Sequence, residues 1–277
     1  MIGDPARHSL SPAIHNAAFR AVDLDWVFLA FEVPAADIAT AMTGVRALGI
    51  DGLSVTMPHK ESVVDLVDRL TPTAATLGAV NCISREGAEL VGDNTDGAGF
   101  VDALRADEGF DPHGKDCAVI GAGGAARAVV LALAGAGAAR VTVVNRTAAT
   151  AERAAGLAGA VGATAGAARV RDADLVVNAT PVGMRRIGAA RDADGDGEDL
   201  PVAAEYLRAG QVVVDLVYAP PVTPLLAAAR AAGATGVNGL GMLVHQAGHA
   251  FRRWTKLEPP LAAMSAAVIA EVARGPR

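Results

Sequence analysis

Lys60 closes the stretch Ser54-Val-Thr-Met-Pro-His-Lys60, a strand-like run turned by a proline, and Asp96 lies in Gly92-Asp-Asn-Thr-Asp96-Gly. Brought together, an ammonium and a carboxylate can move a proton on and off a substrate oxygen. Read singly, each also has an ordinary use, as a solvated lysine and as a helix N-cap. A free lysine titrates at about 10.4, so a base role needs desolvation, while a close aspartate works against it. His8, His15 and His59 are expected near the same site, where one could be a base, and pattern alone does not exclude His59.

A second group of residues suits phosphate. The run Asp116-Cys-Ala-Val-Ile-Gly121-Ala-Gly123-Gly124-Ala-Ala-Arg127 reads as a short apolar strand, a tight turn and a helix. Gly121 can take dihedrals closed to other residues, and Gly123 lets backbone N–H groups approach a pyrophosphate at the helix N-terminus. Such a turn also joins strands to helices with no ligand, so its neighbours matter. Residues 140–144 read as the next strand, followed by Asn145-Arg146-Thr147. NAD sites place a carboxylate there for the ribose 2′-hydroxyl, whereas this chain has an arginine, which suits a 2′-phosphate. The expected cofactor is NADP(H). Read plainly, Arg146 is a solvated charge at a strand end.

The elements that carry these residues alternate. Ser11-Pro12 starts a helix as N-cap and N1, residues 26–33 read as a strand, and 35–48 as a helix closed by Gly49. A strand over 52–56 and a helix over 61–70 follow. That alternation predicts a mostly parallel α/β sheet. A helix over 100–106 and a polar connector over 107–115 lead into the glycine turn, with further strands over 174–179 and 211–216. Residues 185–200 are Gly/Ala/Asp-rich and read as a surface loop; the tail from 240 reads as two helices broken at Glu258-Pro-Pro260. The layout predicts two α/β domains facing a cleft, the second binding the nucleotide. Met1-Ile2-Gly3 leaves little for a first strand, so a longer native N-terminus is expected, which intact mass of the native protein checks.

Composition narrows the class. With 277 residues, 52% of them hydrophobic and 19% charged, one large or two ordinary domains can bury a full core. A net charge of −6 argues against nucleic acid as a partner. Cys82 and Cys117 read as buried strand residues, so no disulfide framework is implied. The apolar runs are too short and interrupted for a membrane span, and no signal-peptide pattern opens the chain, so the expected location is the cytoplasm. No metal is expected. Asp192-Ala-Asp194-Gly-Asp196 begins like a calcium loop, but Ala203 stands where the bidentate Glu is needed. His245 and His249 have zinc-helix spacing without the partnering Glu or a third ligand.

Taken together, His8-Ser9-Leu-Ser11-Pro12, Ser54-Val-Thr56-Met-Pro-His-Lys60, Gly78-Ala-Val-Asn81, Gly92-Asp-Asn-Thr-Asp96, Gly121-Ala-Gly-Gly-Ala, Asn145-Arg-Thr147 and Gly239-Leu-Gly-Met-Leu-Val-His-Gln246 resemble the shikimate dehydrogenase family, in order and over essentially the whole chain. The resemblance implies NADPH-dependent, reversible reduction of 3-dehydroshikimate to shikimate on the chorismate route to aromatic amino acids. It implies Lys60 and Asp96 as the catalytic pair, and Ser9, Ser11, Thr56, Lys60, Asn81, Asp96 and Gln246 around the substrate. It places Gly121, Ala122, Gly123, Gly124, Ala125, Asn145, Arg146, Thr147, Thr180, Gly239 and Met242 at the cofactor. Tyr218 resembles the family's substrate tyrosine, though it reads equally as a structural phenol. It implies a substrate-binding domain over 1–98 completed by 236–277, a Rossmann-type NADP domain over 99–235, and a monomer or homodimer. Two positions depart from the pattern: Ser54 replaces a common Asn, and Thr150 replaces a second basic residue. The 2′-phosphate is then left to Arg146 and Thr147. A quinate/shikimate or aminoshikimate dehydrogenase is the enzymatic alternative; the lack of a carboxylate at Asn145 speaks against NAD-linked quinate oxidation. A non-catalytic NADP sensor is the other, and it has no use for a Lys60–Asp96 pair.

Overall fold

A computed structural model describes residues 1–7, 9–184 and 200–274. His8 and the calcium-like run from Asp192 to Asp196 lie outside the described residues, as does nearly all of the loop expected over 185–200. The fold is α/β, and its contacts separate two compact units, Met1–Gly99 with Leu243–Arg277, and Phe100–Met242.

The first unit opens with β1 (Ile2–Gly3), α1 (Ser11–Ala21), β2 (Phe31–Glu32), α2 (Ile38–Ala47), β3 (Gly52–Ser54), β4 (Arg69–Leu70), α3 (Pro72–Leu77), β5 (Cys82–Glu86) and β6 (Glu89–Asp93). The short strand β1 pairs with β2 in parallel and bridges to Val55. The order β3-β5-β6-β4 forms a mixed sheet: β3, β5 and β6 run antiparallel and only β4 joins in parallel. The expectation of a mostly parallel sheet is therefore corrected here. A hairpin needs only a short turn, and Gly87, with φ of +66°, supplies it between β5 and β6. The α-helix expected over 61–70 does not form either. Asp68 donates its N–H to the Leu90 carbonyl and accepts from Leu90 N, and Arg69–Leu70 pairs with Val91–Gly92, so cross-strand bonding takes this segment. Of the strand expected over 26–33, only Phe31–Glu32 pairs, because β1 is two residues long; Val27 and Leu29 stay exposed. The core of this unit gathers Ile2, Met42, Leu53, Val55, Val63, Val80, Ile83 and Leu90.

Helix α4 (Asp96–Ala106) begins in the first unit and continues from Phe100 in the second, which goes on with β7 (Asp116–Ile120), α5 (Gly124–Gly135), β8 (Arg140–Val144), α6 (Ala148–Gly156), β9 (Gly162–Thr164), β10 (Leu175–Asn178), β11 (Val212–Asp215), α7 (Pro224–Ala231) and β12 (Thr235–Asn238). Among the described residues the sheet order is β12-β11-β10-β7-β8-β9, parallel throughout. Counted within the unit, this is the 3-2-1-4-5-6 order of a doubly wound dinucleotide fold, whose order reverses between β7 and β10. Strands buried on both faces read as near-continuous apolar runs, as in Leu175-Val-Val177 of β10. The helices α8 (Leu240–Thr255) and α9 (Leu261–Arg274) end the chain. The return to the first unit falls at Leu243 rather than 236, because Thr235–Asn238 is hydrogen-bonded into the second sheet beside β11. Among the described residues no helix is long and apolar enough to cross a membrane.

Candidate active site

Local chemistry builds the first site from three segments. The turn after β3 carries Lys60, whose carbonyl accepts from Val80 N, so the turn is pinned next to Asn81. The loop after β6 turns into α4 at Asp96, where Asn94 Oδ1 accepts from the Asp96 N–H. Asn94, not Asp96, therefore takes the capping role, and the Asp96 carboxylate is left for other partners.

Those partners converge. Lys60 Nζ donates to Asp96 Oδ2 at 2.6 Å, and Asn81 Nδ2 donates to Asp96 Oδ1 at 2.7 Å. Asn81 Oδ1 accepts from Thr95 N at 2.8 Å, and its second amide hydrogen lies toward Thr95 Oγ1 at 3.0 Å. Thr95 Oγ1 reaches Gln246 Oε1 at 3.5 Å, and Gln246 Nε2 donates to the Leu243 carbonyl. The side chain of Asp96 is 8% exposed and that of Lys60 21%, so the pair is shielded yet reachable. An ammonium has three donors and one is spent on Asp96, leaving others to meet a substrate oxygen.

The remaining expected residues of this unit surround that network less directly. Ser9 Oγ donates to Ser11 Oγ and accepts from Ser11 N, each at 3.2 Å, at the start of α1. The helix begins on Ser11 with no side-chain cap from Leu10, so Ser11 is not the N-cap expected of it. Thr56 is tied through its N–H to the Ile2 carbonyl. His59 is removed as a rival base: it is buried, and Nε2–H donates to the Val33 carbonyl at 2.6 Å. His15 is fully buried, stacked on Phe28 with centroids 4.4 Å apart and packed on Trp254; neither ring nitrogen has a partner among the described residues. Burial lowers its pKa to about 3, so it stays neutral.

The second unit presents a different surface. Gly121 has φ of +109°, and a Cβ there would lie 3.1 Å from the Ala179 carbonyl oxygen, at the point where the strand order reverses. A Cβ on Gly123 or Gly124 meets nothing, leaving the start of α5 open above its N–H groups. Ala122 and Ala125 flank this turn. Arg146 and Thr147 are exposed, at the start of α6. Open backbone donors at a helix N-terminus and a guanidinium with no ion-pair partner among the described residues fit a phosphorylated dinucleotide. Thr180 is held by two bonds to Asn178 Oδ1, Gly239 approaches the Leu216 carbonyl too closely for a side chain, and Tyr218 is half-buried, its phenol pushed up by burial. Met242 packs on the core and also lines a cavity of about 240 Å³ with Leu104, Asp107, Glu108 and Arg230.

The residues that brace this surface lie outside the motifs the sequence displays. Asp215 is wholly buried and accepts from Asn178 Nδ2, Val217 N and Thr223 Oγ1. Burial raises its carboxyl above the usual range. A carboxylate closing the apolar run Val212-Val-Val-Asp215 was the available signal.

Family models match three stretches: the shikimate dehydrogenase substrate binding domain over 1–83, shikimate/quinate 5-dehydrogenase over 105–191, and the shikimate 5′-dehydrogenase C-terminal domain over 239–269. The shikimate dehydrogenase (NADP(+)) of Methanopyrus kandleri is 46% identical over 281 residues, 97% of this chain and 93% of the relative. A crystal structure of shikimate dehydrogenase in complex with NADP+ matches with 37% identity and a TM-score of 0.88, over 98% of this chain and 94% of that one. The shikimate 5-dehydrogenase of Thermus thermophilus, solved with NADP(H) and shikimate, matches with 36% identity and a TM-score of 0.88, over 97% of both chains.

Proposed function

The chain belongs to the shikimate dehydrogenase family, and we propose that it catalyses the reversible, NADPH-dependent reduction of 3-dehydroshikimate to shikimate. The observation that carries the reaction is the Lys60 Nζ–Asp96 Oδ2 pair at 2.6 Å, with the second carboxylate oxygen held by Asn81. The reduced nicotinamide, when bound, supplies the hydride for the C3 carbonyl carbon. Lys60 places its ammonium at the C3 oxygen, stabilises the alkoxide character that develops there, and hands over a proton. Asp96 orients that ammonium, and Asn81 and Asn94 hold Asp96 in turn. Ser9, Ser11, Thr56 and Gln246 add hydroxyl and amide groups matched to a ligand with three hydroxyls and one carboxylate. Tyr218 is assigned to the substrate as well. Gly121 to Ala125 take the pyrophosphate, Asn145, Arg146 and Thr147 the phosphorylated ribose, and Thr180, Gly239 and Met242 the nicotinamide side.

The first unit is thus the substrate domain and the second the NADP domain. The chain acts as a monomer or homodimer on a small molecule in the cytoplasm. Its net charge of −6 speaks against nucleic acid. Cys82 and Cys117, both pushed up to about 12 by burial, stay as inert thiols. Steady-state rates with shikimate and quinate, each with NADP+ and NAD+, test the reading. Shikimate with NADP+ is expected to lead. Preferred turnover of quinate with NAD+ assigns a quinate dehydrogenase instead, and no turnover of any pair points to a sensor.

A further inference from the structure

The loop after β8 contains a hydrogen-bond triangle with a consequence for cofactor choice. Asn145 Nδ2 lies 2.7 Å from Thr150 Oγ1 and 3.1 Å from the Thr147 carbonyl, and Thr150 Oγ1 lies 2.8 Å from that same carbonyl. A carbonyl only accepts, so the single Thr150 hydroxyl hydrogen points at Thr147. The Thr150 oxygen then turns a lone pair toward Asn145, which must answer with N–H. The amide nitrogen of Asn145 is thus committed to this one side. The orientation of the amide is fixed by the network, and Oδ1 faces away with no partner among the described residues.

The place of that oxygen matters. Asn145 directly follows the second strand of the doubly wound unit, where an acceptor receives the 2′-hydroxyl of an unphosphorylated adenine ribose. A carbonyl oxygen offers nothing to a 2′-phosphate, which is itself all acceptor. The next residue, Arg146, is exposed, has no ion-pair partner among the described residues, and supplies the cation a phosphate needs. One loop therefore holds an acceptor for a hydroxyl beside a cation for a phosphate.

We infer that Thr150 is a positioning residue for cofactor range: by holding Asn145 with Oδ1 outward, it lets the chain take NADH in addition to NADPH. The inference rests on the dinucleotide reading of this unit. Without the Thr150 hydroxyl, only the longer bond to the Thr147 carbonyl, at 3.1 Å, still holds the amide, so it turns its donors outward toward a phosphate more readily and the hydroxyl acceptor is weakened. Equilibrium titrations of the full chain with NADPH and with NADH, followed by nicotinamide fluorescence, test this on the natural protein, Thr150→Val and Thr150→Ser. The natural protein is expected to bind both, NADPH more tightly. In Thr150→Val the ratio of the NADH to the NADPH dissociation constant should rise about fivefold or more, the scale of one neutral hydrogen bond, and Thr150→Ser should restore it. A general loss of structure moves both constants together and leaves the ratio in place; that result, or an unchanged ratio, overturns the inference. Binding of NADPH with no detectable NADH binding also overturns it while the parent reading stands. Failure to bind either nucleotide removes both.

Discussion

At Lys60 the chemistry depends on where one ammonium is held. Its Nζ is shared between Asp96 and whatever oxygen arrives, and Asp96 has no freedom of its own because Asn81 fixes the other carboxylate oxygen. Lys60→Ala removes the proton donor and leaves Asn81, Thr95 and Gln246 bonded to one another. The expected outcome is a fall in kcat of about 10²- to 10⁴-fold, the range of general acid–base catalysis, with a much smaller rise in KM for shikimate. Steady-state kinetics check this, and a near-normal kcat would remove Lys60 from the mechanism. His59 does not inherit the role, since the ring is buried with Nε2–H turned to the Val33 carbonyl. The spacing of Lys60 and His59 is the same in the sequence whichever one faces the substrate. Burial of one ring against a carbonyl from a distant segment, and the exposure of the other side chain, separate them.

Between elements, a tight constraint near the site is the approach of α8 to the first turn of α4. A Cβ built on Gly99 would lie 2.4 Å from Gln246 N and 2.6 Å from its Cα, both backbone atoms that cannot swing aside. Gly99→Ala therefore has to part the two helices, which move Asp96 and Gln246 with them. We expect a loss of about 1–3 kcal/mol of stability, the usual cost of overpacking, and a raised KM for shikimate. Chemical denaturation and kinetics on the same variant measure both; an unchanged KM would uncouple Gln246 from the substrate. The sequence shows Gly99 as one glycine in Asp96-Gly-Ala-Gly99, with nothing to mark it as a contact point. Strand elements were more legible where composition was extreme: β7, β8, β10 and β11 are β-branched apolar runs. By contrast β9 and β12 carry small or polar residues, and β4 lies in a segment whose apolar residues fit a helical period as well.

For the stability of the whole chain, His15 sets a direction with pH. It titrates at about 3 in the folded protein against an ordinary 6.5, because burial among Phe28, Trp254 and Phe19 excludes the charged ring. Between those values the unfolded chain binds the proton and the folded chain does not, so stability rises with pH across that window and is lost as pH falls through it. The slope from this one residue approaches about 1.4 kcal/mol per pH unit. His15→Phe keeps an aromatic ring in the stack and removes the titration. Denaturation midpoints measured from pH 7 down to pH 4 should fall less steeply in the variant than in the natural protein. Parallel curves would show that His15 is not the group responsible.

Local sequence was sufficient for the properties that depend on neighbouring residues. Gly121-Ala-Gly-Gly after an apolar strand sets a backbone turn open to phosphate, and Arg146 at the following strand end sets the charge available there. Runs of Val and Ile are enough to place strands buried on both faces. What residue types alone left undecided was the use of each polar group, because its partner comes from far along the chain. Asn81 turns its amide to Thr95 and Asp96, His59 is taken up by Val33, and Asp215 is taken up by Asn178 and Thr223. A buried polar atom must find a partner, but periodicity and propensity act over a few residues and say nothing of which segment arrives to meet it. That assignment exists only once the segments have packed.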